Sequence, residues 1–291
     1  MSVQVNELYH EDCNTLMARM APGSVDLICT DPPFGIGFKP NLRLYNRKQE
    51  NVLDGYAEVK KEDYYDFSYA WIGGAKYVLK DSGSMYVISG TTNLIDVLRA
   101  LEGHGFKVIN HLIWHYNFGI YTKNKYVSSH YHILYVAQNP KKVRINTFAR
   151  FSEDQKKLGY ADRQDVWSIK REFKKDCVKN GTSLPHELVK KLIEYSSVKD
   201  QTVLDPFMGS GTVPFVAREL GRNYIGCEIM KDVYEFAKLR LDSNQYLIKI
   251  EKSRKINKSK KTQKSNKAKS TIKNKKLKKF VKSKTTSRTR K

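Results

Sequence analysis

The sequence predicts an α/β protein built on a doubly wound, mostly parallel sheet, and three observations carry that prediction. Apolar runs of strand length alternate with stretches of helical period from Val3 to Asp242, the pattern of strands joined by helices that cover both faces of a sheet. Two of those runs end in turns led by an aspartate, Val25 to Thr30 into Asp31-Pro32-Pro33-Phe34 and Thr202 to Leu204 into Asp205-Pro206-Phe207-Met208-Gly209-Ser210-Gly211-Thr212. In an open α/β sheet, such strand ends are where ligands bind. Polar stretches without a period interrupt the alternation after Phe38 and from Lys141 to Lys179, where they read as a long loop and an insertion rather than as more sheet.

Val3 to Tyr9 suggests a first strand. Asp12 and Asn14 open a helix through Met20, ended by Pro22-Gly23. Val25 to Thr30 is a buried strand, and the two prolines, which cannot donate hydrogen bonds, end it at Asp31. Glu62 to Lys80 has helical spacing, with Tyr65, Tyr69, Ile72 and Lys76 to Leu79 near one face, although Gly73-Gly74 weakens it. Ser84 to Ile88 is a strand, and Thr91 to Gly103 an amphipathic helix with Leu94, Ile95, Leu98 and Leu101 inward. Val108 to Trp114 and Tyr131 to Ala137 are strands. Pro185 suits the first turn of a helix running to Tyr195. Thr202 to Leu204 delivers Asp205; a helix from about Val213 to Leu220 follows and closes at Gly221. Asn223 to Gly226 is a strand with Glu228 just past its end, and Lys231 to Asp242 is the final helix.

The 291 residues carry a net charge of +23, placed unevenly: 19 Lys and Arg against one acid lie from Glu251 onward, which leaves the rest about +5. Residues 1–250 are expected to fold as one domain with an insertion at about 117–179. Residues 251–291 have too little apolar surface to offset the entropy of ordering and are expected to be a disordered tail. The charge points to a polyanion, most simply nucleic acid; a solubilising end is the alternative. Lys39, Arg43, Arg47 and Lys48, interleaved with Tyr45, form a stretch suited to an unstacked strand. Arg144, Arg150, Arg163, Lys170 and Arg171 make the insertion basic, and all nine are candidate DNA contacts. Cys13, Cys29, Cys177 and Cys227 are scattered without metal-ligand spacing and read as reduced thiols of an intracellular protein. Met1 to His10 lacks a signal-peptide pattern, and no apolar run approaches the roughly 20 residues of a membrane span.

The glycine turn at Gly209 and Gly211 lets backbone approach a ligand and opens a helix whose amides can face an anionic group. It is not a phosphate loop, and an ordinary tight turn would look the same in isolation. Glu228, after the next strand, lies where an acid holds the ribose hydroxyls of a nucleotide-like cofactor. Together with Asp31-Pro32-Pro33-Phe34, the run Asp205 to Thr212 resembles the S-adenosylmethionine-dependent DNA amino-methyltransferases in their permuted "beta" order, in which the catalytic motif comes first, the target-recognition segment next and the Phe-x-Gly-x-Gly cofactor motif last. The resemblance spans roughly Leu8 to Leu241. It departs at Asn180-Gly181-Thr182-Ser183-Leu184-Pro185, where the family often has His-Pro-Thr-Gln-Lys-Pro.

The resemblance implies a Rossmann-like methyltransferase fold, catalysis by Asp31, Pro32, Pro33 and Phe34, and recognition within 117–179. It implies cofactor contacts from Asp12, Cys13, Asp31, Thr182, Ser183, Asp205, Phe207, Gly209, Ser210, Gly211, Thr212 and Glu228, and no metal. An aspartate at the motif's first position goes, in this family, with adenine N6; a serine goes with cytosine N4. The expected activity is therefore methylation of adenine N6 in a specific double-stranded DNA sequence, on a nucleotide flipped out of the duplex. A restriction–modification setting with a cognate endonuclease, and pairing as a homodimer, belong to the same expectation. Cytosine-N4 methylation, an RNA amine, or a non-catalytic DNA-binding subunit are the alternatives.

Overall fold

Eight strands form one sheet in the computed structural model, which describes residues 2–34, 59–117, 119, 123–172 and 183–246. In chain order the elements are β1 (Glu7–Tyr9), α1 (Cys13–Ala18), β2 (Val25–Thr30), α2 (Tyr64–Val78), β3 (Leu79–Ser89), α3 (Leu94–Gly103), β4 (Lys107–His115) and β5 (His130–Ala137). They continue with α4 (Lys156–Asp162), β6 (Val166–Ser168), α5 (His186–Ser196), β7 (Thr202–Asp205), α6 (Thr212–Glu219), β8 (Asn223–Cys227) and α7 (Lys231–Asp242). The strand order is β1-β8-β7-β2-β3-β5-β4-β6. Neighbours run parallel except β5, which is antiparallel to both β3 and β4.

From β7 the chain passes through α6 to β8 on one side; from β2 it passes through α2 to β3 on the other. The direction of winding therefore reverses between β2 and β7, and the two crossover helices lie on opposite faces. A crevice opens at the carboxyl ends of strands at such a point. The two cores follow from strict alternation along the central strands. Ile28, Val87 and Leu204 pack with α1, α2 and α3. Leu27, Cys29, Tyr86, Ile88 and Val203 pack with α5 and α6.

Asp26 fixes the other end of the β2–β7 pair. Its Oδ2 accepts the backbone N–H of Thr202 at 2.9 Å, and its Oδ1 accepts Lys80 Nζ at 2.6 Å. Three neighbouring strands are thereby tied where they begin, and the register Leu27↔Val203 and Ile28↔Leu204 carries the alignment to the far end.

Several expectations need correction. The insertion does contribute to the sheet: Val166-Trp167-Ser168 pairs with β4 as an edge strand, too short to show a period. Ile95 is 70% exposed rather than inward, because it lies off the stripe that buries Leu101, as expected, together with Val97 and Ala100. Pro185 stands at the N-cap of α5, one residue before its first turn. Helix α2 continues through Gly73-Gly74, where a side chain on Gly74 would lie 2.7 Å from Met17 Cε; the glycine lets α1 and α2 touch. The expected loop at Lys39–Lys48, the tail at 251–291, Thr182 and Cys177 lie outside the described residues. Among the described residues, no helix is long and apolar enough to cross a membrane.

Asp26→Ala should leave the buried Thr202 N–H unpaired, costing about 1–3 kcal/mol. Thermal denaturation should show a midpoint lowered by about 2–4 °C per kcal/mol for a domain of this size; an unchanged midpoint would show that the clamp is dispensable.

Candidate active site

Both aspartate-led turns arrive at the reversal point. Thr30 ends β2, so the next residue, Asp31, leaves the sheet there, and Asp205 ends β7 beside it. Asp205 is 3% exposed. Its Oδ1 accepts Thr30 Oγ1 at 3.0 Å and the Phe207 N–H at 3.1 Å, so the two motifs are joined by a hydrogen bond across the strands. Asp31 Oδ1 is buried and has no hydrogen-bond partner among the described residues. Burial pushes the Asp31 carboxyl up to about 8, the charge of Asp205 adds to this, and the Arg171 guanidinium opposes it. Burial likewise pushes Asp205 up to about 7, against the Phe207 amide and the Thr30 hydroxyl, while the charge of Glu228 raises it further. These are two carboxylates set close together in low dielectric, each disfavouring the other's charge.

The remaining residues of the expected cofactor set divide into two groups. Glu228 follows β8; its N–H donates to Tyr9 O at 3.0 Å, and its Oε1 accepts the Met230 N–H at 2.7 Å. Burial raises its carboxyl. Asp12 caps α1, its Oδ1 accepting the N–H groups of Asn14 and Thr15. Cys13 is buried beside it, its thiol pushed up to about 12 by burial and then by the Asp12 charge. In the glycine turn, Gly209 and Gly211 have φ of 49° and 79°. A Cβ on Gly211 would also fall 2.9 Å from that of Ala237, so this glycine serves the packing of α7 as well as the turn. Ser210 and Thr212 are buried. Ser210 Oγ meets Ser183 Oγ at 2.7 Å. Phe207 points into the core, its ring 5.7 Å from Phe67 and edge-on to Trp71 at 5.5 Å.

Two features escaped the sequence. Arg240 is 4% exposed and donates through Nη1 to Ser210 O at 2.6 Å and Ser210 Oγ at 3.1 Å, buttressing the glycine turn from α7. The second is an aromatic box: the Trp114, Tyr116 and Tyr131 rings lie 5.4–5.6 Å from one another. Tyr131 also lies 5.7 Å from Phe34. An arginine in an amphipathic helix reads as surface, and aromatics on two paired strands, with a third just past the end of β4, carry no local spacing.

The candidate DNA contacts also separate. Arg144, Arg163 and Lys170 are exposed. Arg150 is engaged with carboxylates: Nε to Asp162 at 3.0 Å, Nη1 to Glu194 at 2.7 Å, and Nη2 to Glu187. Asp162 also accepts Tyr195 Oη at 2.6 Å and Lys191 Nζ at 3.1 Å. Burial raises the Asp162 carboxyl, but these donors outweigh it and hold it below its usual value. Arg150 thus pins α4 to α5 where a phosphate contact was expected. Arg171 lies against the aromatic box instead of facing solvent with Lys170.

Residues 25–239 match the family model described as DNA methylase (N6_N4_Mtase). The chain is 31% identical over 244 residues to the type II methyltransferase M2.DpnII of Streptococcus pneumoniae, covering 81% of this chain and 89% of that protein. It is 29% identical over 279 residues to the DNA adenine methyltransferase YhdJ of Escherichia coli K12, covering 86% and 89%. Among solved structures, the M1.HpyAVI–SAM complex superposes with a TM-score of 0.56 at 23% identity, over 80% of this chain and 98% of that one. The cytosine-N4-specific PvuII DNA methyltransferase gives 0.63 at 17% identity, over 82% and 87%. These two likenesses establish the fold.

The carboxyl values imply a stability effect. A carboxyl raised to about 8 when folded stays protonated in the native state while the unfolded chain has already ionised, so stability is lost as pH rises from about 4 toward 8. Asp31→Asn, which cannot ionise, should therefore raise the melting temperature at about pH 8 and leave it nearly unchanged near pH 4. Melting curves across that range check it; an equal effect at all pH values would point to packing instead.

Proposed function

Because the chain belongs to the DNA methylase family, we propose that it transfers a methyl group from S-adenosylmethionine to the exocyclic N6 amine of adenine in a specific double-stranded DNA sequence. The observation that carries this reading is the juxtaposition of the buried Asp205, bonded to Thr30, with the next residue Asp31, whose Oδ1 is buried, at the reversal point of the sheet. The residues present suit this cofactor. A site with buried acids, one of them holding an orphaned acceptor oxygen, favours a ligand that brings positive charge, as a sulfonium does. Glu228 and Asp12 would hold its nucleoside end, the Gly209–Gly211 turn its backbone-contacting part, and Ser183, bonded to Ser210, would adjoin that turn. S-adenosylmethionine, when bound, supplies a methyl group already activated on sulfur.

The protein's own part is to prepare the amine. The lone pair of an exocyclic amino nitrogen is delocalised into the base, which makes it a poor nucleophile. The Asp31 carboxylate and the Pro32 carbonyl accept its two N–H bonds, draw the nitrogen toward tetrahedral geometry and stabilise the positive charge that develops on it. Phe34 stacks on the base, with Tyr131 beside it. The amine of a paired base is not accessible to a crevice at strand ends, so the nucleotide leaves the duplex to reach it. Asp31 in the motif's first position supports adenine over cytosine, as does the similarity to a named adenine methyltransferase.

Residues 117–179, carrying the exposed Arg144, Arg163 and Lys170, hold target recognition in this reading. The tail from Glu251 adds sequence-independent attraction to phosphates. Similarity to type II methyltransferases fits a companion endonuclease, and a second copy of the chain is the natural further partner.

Incubating the protein with labelled S-adenosylmethionine and unmethylated genomic DNA, followed by nucleoside mass analysis, should yield N6-methyladenine; N4-methylcytosine would overturn the assignment of the base. Asp31→Ala should lower transfer by about 10²–10³ while cofactor binding persists in calorimetry. The rate should climb with pH through about 8, as the Asp31 carboxyl ionises. Truncation after Glu251 should reduce the salt dependence of DNA affinity and leave the methylated sequence unchanged; a shifted methylation site would refute the tail's assignment.

A further inference from the structure

We propose that Arg171 is a positioning residue for methyl transfer: seated on the aromatic box, its guanidinium supplies the counter-charge that keeps the Asp31 carboxylate ready to accept the amine. The inference rests on the reading above.

The residues around Arg171 are fixed at both ends. Ile169 N donates to His115 O at 3.1 Å, and Trp114 Nε1 donates to Ile169 O at 2.8 Å, binding the segment to the end of β4. On the other side, Glu172 Oε1 accepts the His186 N–H at 3.0 Å, binding it to the start of α5. Between these anchors the Arg171 guanidinium carbon lies 4.4 Å from the Tyr116 ring centroid, 5.2 Å from Tyr131 and 5.8 Å from Trp114. Cation–π contact at these distances holds an arginine in place without neutralising it. Tyr131 is shared with Phe34, so the box adjoins the catalytic turn.

Two orphaned groups then stand in one site. Among the described residues, Arg171 Nε is buried without an acceptor and Asp31 Oδ1 is buried without a donor. A phosphate-binding arginine would be solvent-facing, as the adjacent Lys170 is. The groups bearing on Asp31 come from every side. Asp205 at the end of β7 opposes its ionisation, with Glu228 behind it. Burial raises the phenol of Tyr116 beside the guanidinium, and the Cys29 thiol, on β2, is held up by burial and by the Asp205 charge. Arg171 is the cation set against this acidic balance. Without it the carboxylate would be protonated at higher pH, and a protonated Asp31 offers one acceptor fewer to the amine.

The test compares Arg171→Gln and Arg171→Lys with the native chain. Its first readout needs no DNA: titration of Asp31 by carbon-13 NMR of aspartate-labelled protein, assigned against Asp31→Asn. The midpoint should rise by about one pH unit in the Gln variant and stay near native in the Lys variant. The second readout is the pH profile of methyl transfer. The acid limb of kcat should shift upward by the same amount, so the rate falls ~10-fold near pH 7 and recovers to within about twofold at high pH. An unshifted Asp31 titration overturns the proposal, as does a loss confined to KM for DNA or uniform across pH. Should the Gln variant not fold, Tyr116→Leu, which unseats the guanidinium, is expected to shift the titration the same way, and no shift there overturns it equally. If the native protein transfers no methyl group, the functional reading fails, while the Asp31 titration still decides the role of Arg171.

Discussion

Two carboxylates buried beside each other at the ends of β2 and β7 set the terms for the rest of this structure. Low dielectric disfavours each charge, and each charge disfavours the other. Asp205 is compensated by the Thr30 hydroxyl and the Phe207 amide; among the described residues, Asp31 keeps one oxygen unpaired. Such an arrangement costs stability and persists where surrounding structure over-determines it, which is characteristic of sites built for chemistry. Here the over-determination is visible. Asp26 clamps the opposite ends of the same strands through Thr202 and Lys80, and Arg240 holds the following turn through Ser210.

The rigidity is unequal across the sheet. On the β7–β8 side the strands are parallel and short, with the glycine turn wedged against α7 by the close approach of Gly211 to Ala237. That half can hold a ligand of fixed shape. On the β3–β6 side an antiparallel strand, an edge strand of three residues and a helix pinned through Asp162 make a more irregular surface. A surface of that kind is where variation in partner is accommodated, because connecting segments on a rigid scaffold tolerate change.

What the sequence made legible follows from where its signals are local. Proline pairs, glycines and an unbroken apolar run located β2 and both turns, and the final helix was placed from Lys231 to Asp242, where α7 lies. The features that stayed hidden depend on partners distant in the chain. Trp114 and Tyr131 meet because β4 and β5 pair; Arg150 is neutralised by Asp162, Glu187 and Glu194 across three helical turns and a loop. The charge of Arg150 suggested a phosphate contact, and only its neighbours show a structural tie. Ile95 was misplaced for a simpler reason: at about 100° per residue it falls outside the stripe that Val97, Ala100 and Leu101 bury.

The antiparallel course of β5 is what joins the two halves into one site. Were β5 parallel to β3, its last residues would lie level with Ser89 and the carboxyl end of β2, and its first residues would lie at the far edge. Because it runs the other way, Ser89 pairs with His132, which places Tyr131 at the mouth of the crevice beside Phe34. The same reversal sets Trp114 opposite Tyr131 and brings the end of β4, with the Arg171 segment bound to it, to the catalytic edge. A strand added in the opposite sense thus places an aromatic platform and a cation at the same edge as the two aspartate-led turns, which in the proposed reading serves a second, flat ligand. In the proposed reading the cofactor half and the base-receiving half are separate in the chain, and they meet at Asp31.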